Sequence, residues 1–436
     1  MKSTRFARKL VGIASLLGVS AGLVACGAES GDPSGIGQSS QALHGNAPVV
    51  GSLAANALGA NQGADHFAQC TVKDSVTNTL YLVMAGGHTS LGTVTDRILF
   101  RTPAGSWAQA QSGGVDVKLS VARSHSAVIQ SADLTKCIVL GGEDLSGNAK
   151  TAIETITVAN GAWSKATSNL ASARSRAKAE ACASGIILFG GFDNAASPKV
   201  LNSIEASDGF PGTFTTATNT LVTRREEYAL AKNIGDNRLV VAGGYDGTNP
   251  LDTIEVITNT VTSNRCVPTS TRLNVSTKVL SNPVFGNVAF PTGNSNEIAI
   301  MAGSDGSAEP VDIDLVTLNT TPANSTVAVD SETLDEGVYE PALVRVPDSG
   351  NPDAFMLIGG AKVVTAPQTF TTSTTLGTLA QQYQSGFSLL SDTLNTPRYA
   401  GPQAASLLSG TVYAPSGIDD FSPSTTWALS MEPIAP

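Results

Sequence analysis

A short apolar run ending in a glycine pair recurs along this chain, and few folds can be built from such a unit. The fullest copy is Arg238–Gly247, reading Arg-Leu-Val-Val-Ala-Gly-Gly-Tyr-Asp-Gly. Leu80–Gly87, Cys137–Gly142, Ile186–Gly191 and Phe355–Gly360 repeat it, and Ile298–Ser304 and Val412–Gly417 are worn versions. The pair falls at positions 86, 141, 190, 243, 303, 359 and 416. A spacing of roughly 50 residues, kept throughout, is the signature of a repeat architecture. Each run is apolar at consecutive positions and stops at glycine, so it reads as a strand covered on both faces. Glycine at the strand end permits positive φ and close approach of neighbouring backbone.

More of the unit repeats around this anchor. Isoleucine beside a charged residue follows at Ile153-Glu154, Ile204-Glu205, Ile254-Glu255 and Ile313-Asp314, with Arg97-Ile98 in reverse order. Val311, Ile313 and Leu315 alternate with Asp312 and Asp314, the period of a half-exposed strand. An aromatic comes next in three copies, at Trp107, Trp163 and Phe214. Ahead of the anchors stand Arg123-Ser-His125, Arg174-Ser-Arg176, Arg224-Arg225 and Pro397-Arg-Tyr399.

This pattern resembles the kelch repeat, over most of residues 47–436. The resemblance implies an all-β chain folded as a kelch-like β-propeller of seven four-stranded blades, with six or eight as alternatives. Blade ends are expected near 110, 166, 217, 270, 330 and 387. The family's strand-three tyrosine is missing, tryptophan survives in two copies, and the fifth and seventh glycine pairs are broken. A tryptophan-aspartate propeller is disfavoured by its shorter period. Thr425–Ser430 reads as the third strand of the last blade, which leaves that blade one strand short. Pro48–Leu53, just upstream of His66, is the expected fourth strand closing the ring, so that no long edge stays open.

The N-terminus reads as a targeting segment. Lys2, Arg5, Arg8 and Lys9 precede an apolar stretch from Leu10 to Ala25, too short for a comfortable membrane span. Leu23-Val-Ala-Cys26-Gly27 resembles a bacterial lipobox, which implies a signal peptide over 1–25 and lipidation of Cys26. Glycine after the cysteine favours, by the same resemblance, the outer membrane or cell surface. Two or three acyl chains give stable anchoring where one does not. Residues 26–46 are rich in Gly and Ser without periodicity and read as a flexible tether. A net charge of −10 argues against nucleic-acid binding. Export permits disulfides among Cys70, Cys137, Cys182 and Cys266, but sequence cannot rank the three pairings, and buried free thiols are an equal alternative.

Antiparallel strand order puts the Gly-Gly loops and the Arg/His entries at one end of the blades. The candidate binding face there comprises His66, His88, Arg123, His125, Arg174, Arg176, Arg224, Arg225, Asp246, Asp305 and Arg398, with Tyr228, Tyr339, Glu143 and Asp193 nearby. Entry arginines are more readily explained as bridges between blades, and Asp193, Asp246 and Asp305 as turn caps. No HExxH, EF-hand loop, GxSxG elbow or phosphate loop occurs, so no catalytic residue, cofactor or dedicated metal site is expected. The expected function is a membrane-anchored, monomeric surface lipoprotein binding a protein or glycan. The alternatives are a propeller-type carbohydrate-active enzyme (epimerase, lyase or oxidase) and a purely structural envelope component. A tight cluster of titratable groups with shifted pKa values would favour the enzyme. An exposed aromatic or apolar patch on the loops would favour binding.

Overall fold

The computed structural model describes residues 49–50, 64–89, 93–102, 107–182, 185–233, 235–236, 238–262, 265–273, 278–292, 294–334, 337–345, 355–358, 360–362, 375–376, 380–383, 387–389, 406–408, 411–415 and 431–435. Cys26, the expected signal and tether, and Arg398 lie outside these residues. The chain is all-β: among the described residues the one helical element is a 3-10 turn at Pro322–Asn324. No described helix is long and apolar enough to cross a membrane.

Among the described residues the strands form seven four-stranded antiparallel sheets, with three short two-stranded ones beside them, an arrangement consistent with a propeller. Sheet 1 comprises Ala68–Lys73, Leu80–Ala85, Ile98–Arg101 and Ala108–Gln109. Sheet 2 comprises Ala127–Gln130, Cys137–Leu140, Ala152–Ala159 and Ala162–Asn169. Sheet 3 runs Lys178–Cys182, Gly185–Phe189, Ser203–Ser207, Phe214–Thr220. Sheet 4 runs Ala229–Lys232, Leu239–Ala242, Ile254–Thr262, Arg265–Arg272. Sheet 5 runs Val288–Pro291, Glu297–Met301, Asp312–Thr317, Thr326–Thr333. Sheet 6 runs Ala342–Arg345, Phe355–Ile358, Ala380–Tyr383, Phe387–Leu389.

Sheet 7 is assembled from both chain ends. Ser406–Leu408, Thr411–Pro415 and Met431–Ala435 pair in order, and Val49–Val50 adds to the outer edge, Val49 opposite Ala435 and Val50 opposite Ile434. The third strand is Met431–Ala435, paired along Val412–Pro415, and Thr425–Ser430, expected in that place, lies outside the described residues. The first strand of sheet 7 lies against those of sheets 1 and 6.

Each glycine-ended run is the second strand of its sheet, and in sheets 1 to 5 it is buried on both faces along most of its length. Ile186, Ile187, Leu188 and Phe189 are each inaccessible to solvent. Alternate residues point into different inter-sheet layers. Ile138 and Leu140 meet Ile186 and Leu188 between sheets 2 and 3, whereas Ile187 and Phe189 meet Leu239 and Val241 between sheets 3 and 4. The same succession joins sheet 1 to 2, 4 to 5 and 5 to 6. Two disulfides staple the layers, Cys70 to Cys137 across sheets 1 and 2 and Cys182 to Cys266 across sheets 3 and 4. Their Cα separations of 6.1 and 6.4 Å suit such a bridge. The free-thiol alternative is thus replaced by two bridges that join neighbouring layers.

The glycine pairs are required by the chain that enters the next sheet. A Cβ on Gly86 or Gly141 would overlap the carbonyl oxygen of Arg123 or Arg174. The second glycine of each pair sits at a positive φ of 97–109°. Its N–H donates to that carbonyl, Gly87 to Arg123, Gly142 to Arg174 and Gly191 to Arg225, each at 2.9 Å.

The entry segment is also clasped by charge. Arg123, Arg174 and Arg225 are fully buried and pair with Glu154, Glu205 and Glu255 on the third strand of the sheet they enter. The Arg174–Glu205 and Arg225–Glu255 contacts are 2.7 Å. Each glutamate also accepts backbone N–H groups from the linker, Glu205 from Ala171 and Ser172 and Glu255 from Val222 and Thr223. Burial alone would raise the Glu154 carboxyl, but Arg123 and Ser120 outweigh it and hold it below its usual value.

Sheet 5 is an internal control for the clasp. Val284 stands where the arginine would be, and among the described residues Asp314 accepts from the Ser281 N–H and hydroxyl. There burial, with Asp312 close by, pushes the Asp314 carboxyl up to about 6. Asp314 is buried, not on an exposed face as its alternation suggested, because it fills the repeat position of the clasp glutamates.

Candidate functional site: a charged pocket at the Gly-Gly end

Two residues beyond Arg123, Arg174 and Arg225, and at the matching point of the other entries, the chain turns through a left-handed backbone. His66, His125, Arg176, Glu227 and Glu340 occupy this position with φ from 45° to 52°, and Gly286 occupies it at 66°. Non-glycine residues rarely adopt such angles, and here a chain of backbone hydrogen bonds holds them. The N–H of His125 donates to His66, Arg176 to His125, Gly286 to Glu227 and Glu340 to Gly286, at 2.6 to 3.0 Å. Gly286 has no alternative, since a Cβ there would overlap the Tyr339 ring.

A second set lies just outside the first. The residue after each glycine pair bridges to the middle entry residue of its own sheet: Glu143 to Ser124, Phe192 to Ser175, Tyr245 to Glu226, Ser304 to Phe285 and Ala361 to Tyr339. His88 holds the same place in sheet 1, pairing with Asp65. Residues far apart in sequence therefore meet at one end of the sheets. Some of them line an open pocket of about 350 Å³. His66, His88, His125, Arg176, Glu227 and Tyr339 contribute from the entries, and Glu143, Phe192, Asn194 and the loop Asp144–Gly147 complete the lining.

The wall is an ionic network. Arg176 reaches Glu143 at 3.0 Å, Glu227 at 3.2 Å and Glu226 at 3.3 Å, and its guanidinium lies 5.2 Å from the Phe192 ring centre. Although desolvation disfavours its charge, the three carboxylates outweigh that and hold its proton more tightly than in a free arginine. Burial raises the Glu227 carboxyl well above its normal range, with Glu340 and Glu226 adding to the effect. Burial likewise pushes Glu226 up to about 7, with Glu143 and Glu340 adding to it and Arg176 opposing. Tyr339 donates to Glu227 at 2.7 Å, and burial beside Glu227 and Glu340 raises its phenol.

Three of the four histidines belong to this wall. The His66 and His125 rings stack with centroids 3.8 Å apart, and His88 meets them edge-on at 6.1 and 5.3 Å. His66 Nε2 lies 3.2 Å from Glu340, and His125 Nδ1 lies 3.2 Å from Glu143. Burial, with His66, Arg176 and His88 alongside, lowers the His125 pKa well below 6.5.

The structure separates the sequence-derived face into three groups. His66, His88, His125 and Arg176 converge on the pocket. Arg123, Arg174 and Arg225 do not reach any surface, because pairing with Glu154, Glu205 and Glu255 draws them inside. Arg224 is exposed away from the pocket, and Asp246 and Asp305 cap their own turns through the N–H groups of Thr248 and Asn249 and of Ser307 and Ala308. Glu226, Glu227, Glu340 and Phe192 were missed. Aligning the copies on Arg123, Arg174 and Arg225 would have found Glu227 at the position of His125 and Arg176. The expectation that no metal site exists rested on sequence motifs, yet three histidines meet here from separate segments.

Chemically, the pocket offers donors, acceptors, a fixed cation and carboxyl groups that retain protons near neutrality. Comparison with protein-family models and with the curated proteins finds no match for this chain.

Proposed function

We propose that this chain is a lipid-anchored, kelch-like β-propeller of seven blades that takes a small polar ligand, a sugar or the end of a glycan, in the His66/Arg176 pocket. The pocket itself carries the reading. It is concave, charged and of ligand size, whereas a protein interface buries roughly 800 Å² per partner around an apolar centre. Among the described residues, the exposed large hydrophobics Val76, Val115, Val222 and Val329 belong to separate sheets and linkers, and Leu145 is the one at the pocket, too small a patch for such a centre. Seven four-stranded sheets packed in succession, with Val49–Val50 completing the last, support the propeller and its closure by the N-terminal strand. Two disulfides support an exported protein, since such bridges persist in oxidising compartments. Lipidation at Cys26 and the outer-membrane or surface location rest on the lipobox resemblance.

A second reading, a carbohydrate-active enzyme working by proton transfer, is favoured by one observation. Glu227 with a raised pKa and His125 with a lowered one line the same cavity, the pairing expected of an acid and a base.

A glycan array probed with the purified protein tests the proposal. Ser146→Trp, at the pocket mouth, and Asn194→Ala, in its wall, are expected to reduce capture at least tenfold without changing the melting temperature. Thr248→Ala and Ser307→Ala, on exposed turns outside the pocket, are expected to leave capture intact. Equal capture by all four variants would overturn the pocket assignment. Chemical conversion of the captured sugar, abolished by Glu227→Gln, would select the enzyme reading. In the same preparations, Cys26→Ser is expected to move the protein from the membrane to the soluble fraction.

A further inference from the structure

We propose that His66, His88 and His125 bind a single borderline divalent transition-metal ion, of the zinc class, with one coordination position open to the pocket. One ligand nitrogen from each residue can be chosen so that all three lie within 4.8 Å of one another. Tetrahedral zinc, with Zn–N distances of about 2.0–2.1 Å, places its nitrogens roughly 3.3 Å apart. Closing that gap calls for side-chain rotation. His66 and His125 stand nearly parallel, at 26°, so one ring must turn about χ2 to present its edge. That torsion is soft for an imidazole.

The surroundings favour a metal over three chance neighbours. Glu340 holds one nitrogen of His66 and Glu143 holds Nδ1 of His125, both at 3.2 Å. A carboxylate on the far nitrogen of a ligating histidine fixes its tautomer and orientation, and is the usual outer partner in zinc sites. Ser124 Oγ lies 3.2 Å from His88 Nε2 and 3.1 Å from His125 Nδ1, tying the two rings together. Three imidazoles without thiolates suit zinc, copper or nickel, and a set of three leaves a fourth position for a ligand atom. That position would face the cavity of about 350 Å³, so an oxygen donor such as a sugar hydroxyl or carboxylate could complete the shell. This last step rests on the pocket reading given above; uptake of the metal does not.

The test uses zinc alone, with no glycan present, so its failure is distinct from failure of ligand capture. Untagged full-length protein, stripped with chelator and held in detergent, is titrated with zinc chloride by calorimetry. Cobalt(II) absorption then reports the coordination geometry. One equivalent is expected to bind at micromolar affinity or better, with intense visible cobalt bands of a tetrahedral site. His88→Ala is expected to weaken binding at least 100-fold. His125→Asn should do the same, asparagine being among the residues that tolerate a left-handed backbone. His44→Gln, at the remaining histidine, should change nothing. No saturable uptake by folded wild-type protein overturns the proposal, as does equal affinity in His88→Ala. Should His125→Asn fail to fold, His88→Ala and the wild-type cobalt spectrum decide.

Discussion

Glu205→Ala is expected to destabilise the protein by about 3–5 kcal/mol, among the largest effects of any single substitution outside the apolar core. The substitution leaves Arg174 charged, fully buried and without its carboxylate. The N–H groups of Ala171 and Ser172 lose their acceptor in the same step. An isolated buried charge costs far more than a pair contributes, because desolvation is no longer offset. The double variant Arg174→Met/Glu205→Leu should recover part of the loss but not all, since the two linker N–H groups stay unpaired. Asp144→Ala provides the contrast. It breaks a half-exposed pair with Lys150 at 2.6 Å and should cost under about 1 kcal/mol. Urea denaturation checks both. A loss at Glu205 as small as that at Asp144 would show that the clasp does not hold the linkers.

Removing either disulfide by paired Cys→Ala substitution is expected to cost about 4 kcal/mol. The bridges close loops of 67 and 84 residues, and chain-entropy arguments give a stabilisation of about 4–5 kcal/mol for loops of that length. Truncating the buried Cys137 and Cys266 side chains adds little, as they are small. Cys70→Ala/Cys137→Ala should loosen sheets 1 and 2, and Cys182→Ala/Cys266→Ala sheets 3 and 4. Mass spectrometry of peptides from unreduced protein should recover these two pairs. Four free thiols, or variants as stable as the parent, would contradict the pairing.

The architecture was legible because the repeat writes it into the sequence. Each apolar run had to be a doubly covered strand, and its glycine pair had to end it where the next entry passes. The isoleucine with a charged neighbour marked the third strand, although the role of that neighbour stayed hidden. Glu154, Glu205 and Glu255 are the buried partners of the entry arginines, a bridging role expected of those arginines but with no partner named. The ambiguity is physical: a periodic arginine on a strand entry has the same spacing whether it faces solvent or a carboxylate. Disulfide pairing was out of reach for a similar reason, since it depends on which layers touch.

The pocket was half legible. His66, His125 and Arg176 stood out because histidine and arginine are conspicuous, while Glu227 and Glu340 at the same repeat position did not. The Arg224-Arg225 doublet leaves the register of this entry ambiguous in the sequence, and only the structure puts Glu227 at the place of His125 and Arg176. Metal ligation was invisible to motif reading because the three histidines come from three separate segments.

Titration of the histidine side chains by nuclear magnetic resonance tests the central claim most directly, that remote entry residues build one charged pocket. The chain has four histidines, and His44 lies in the segment read as a tether. In metal-free protein His125 should stay neutral well below pH 6.5, because burial and its neighbours His66, Arg176 and His88 oppose a further positive charge. Arg176→Gln removes the guanidinium charge and should move the His125 titration upward. Four histidines titrating together near pH 6.5, unaffected by Arg176→Gln, would contradict the pocket.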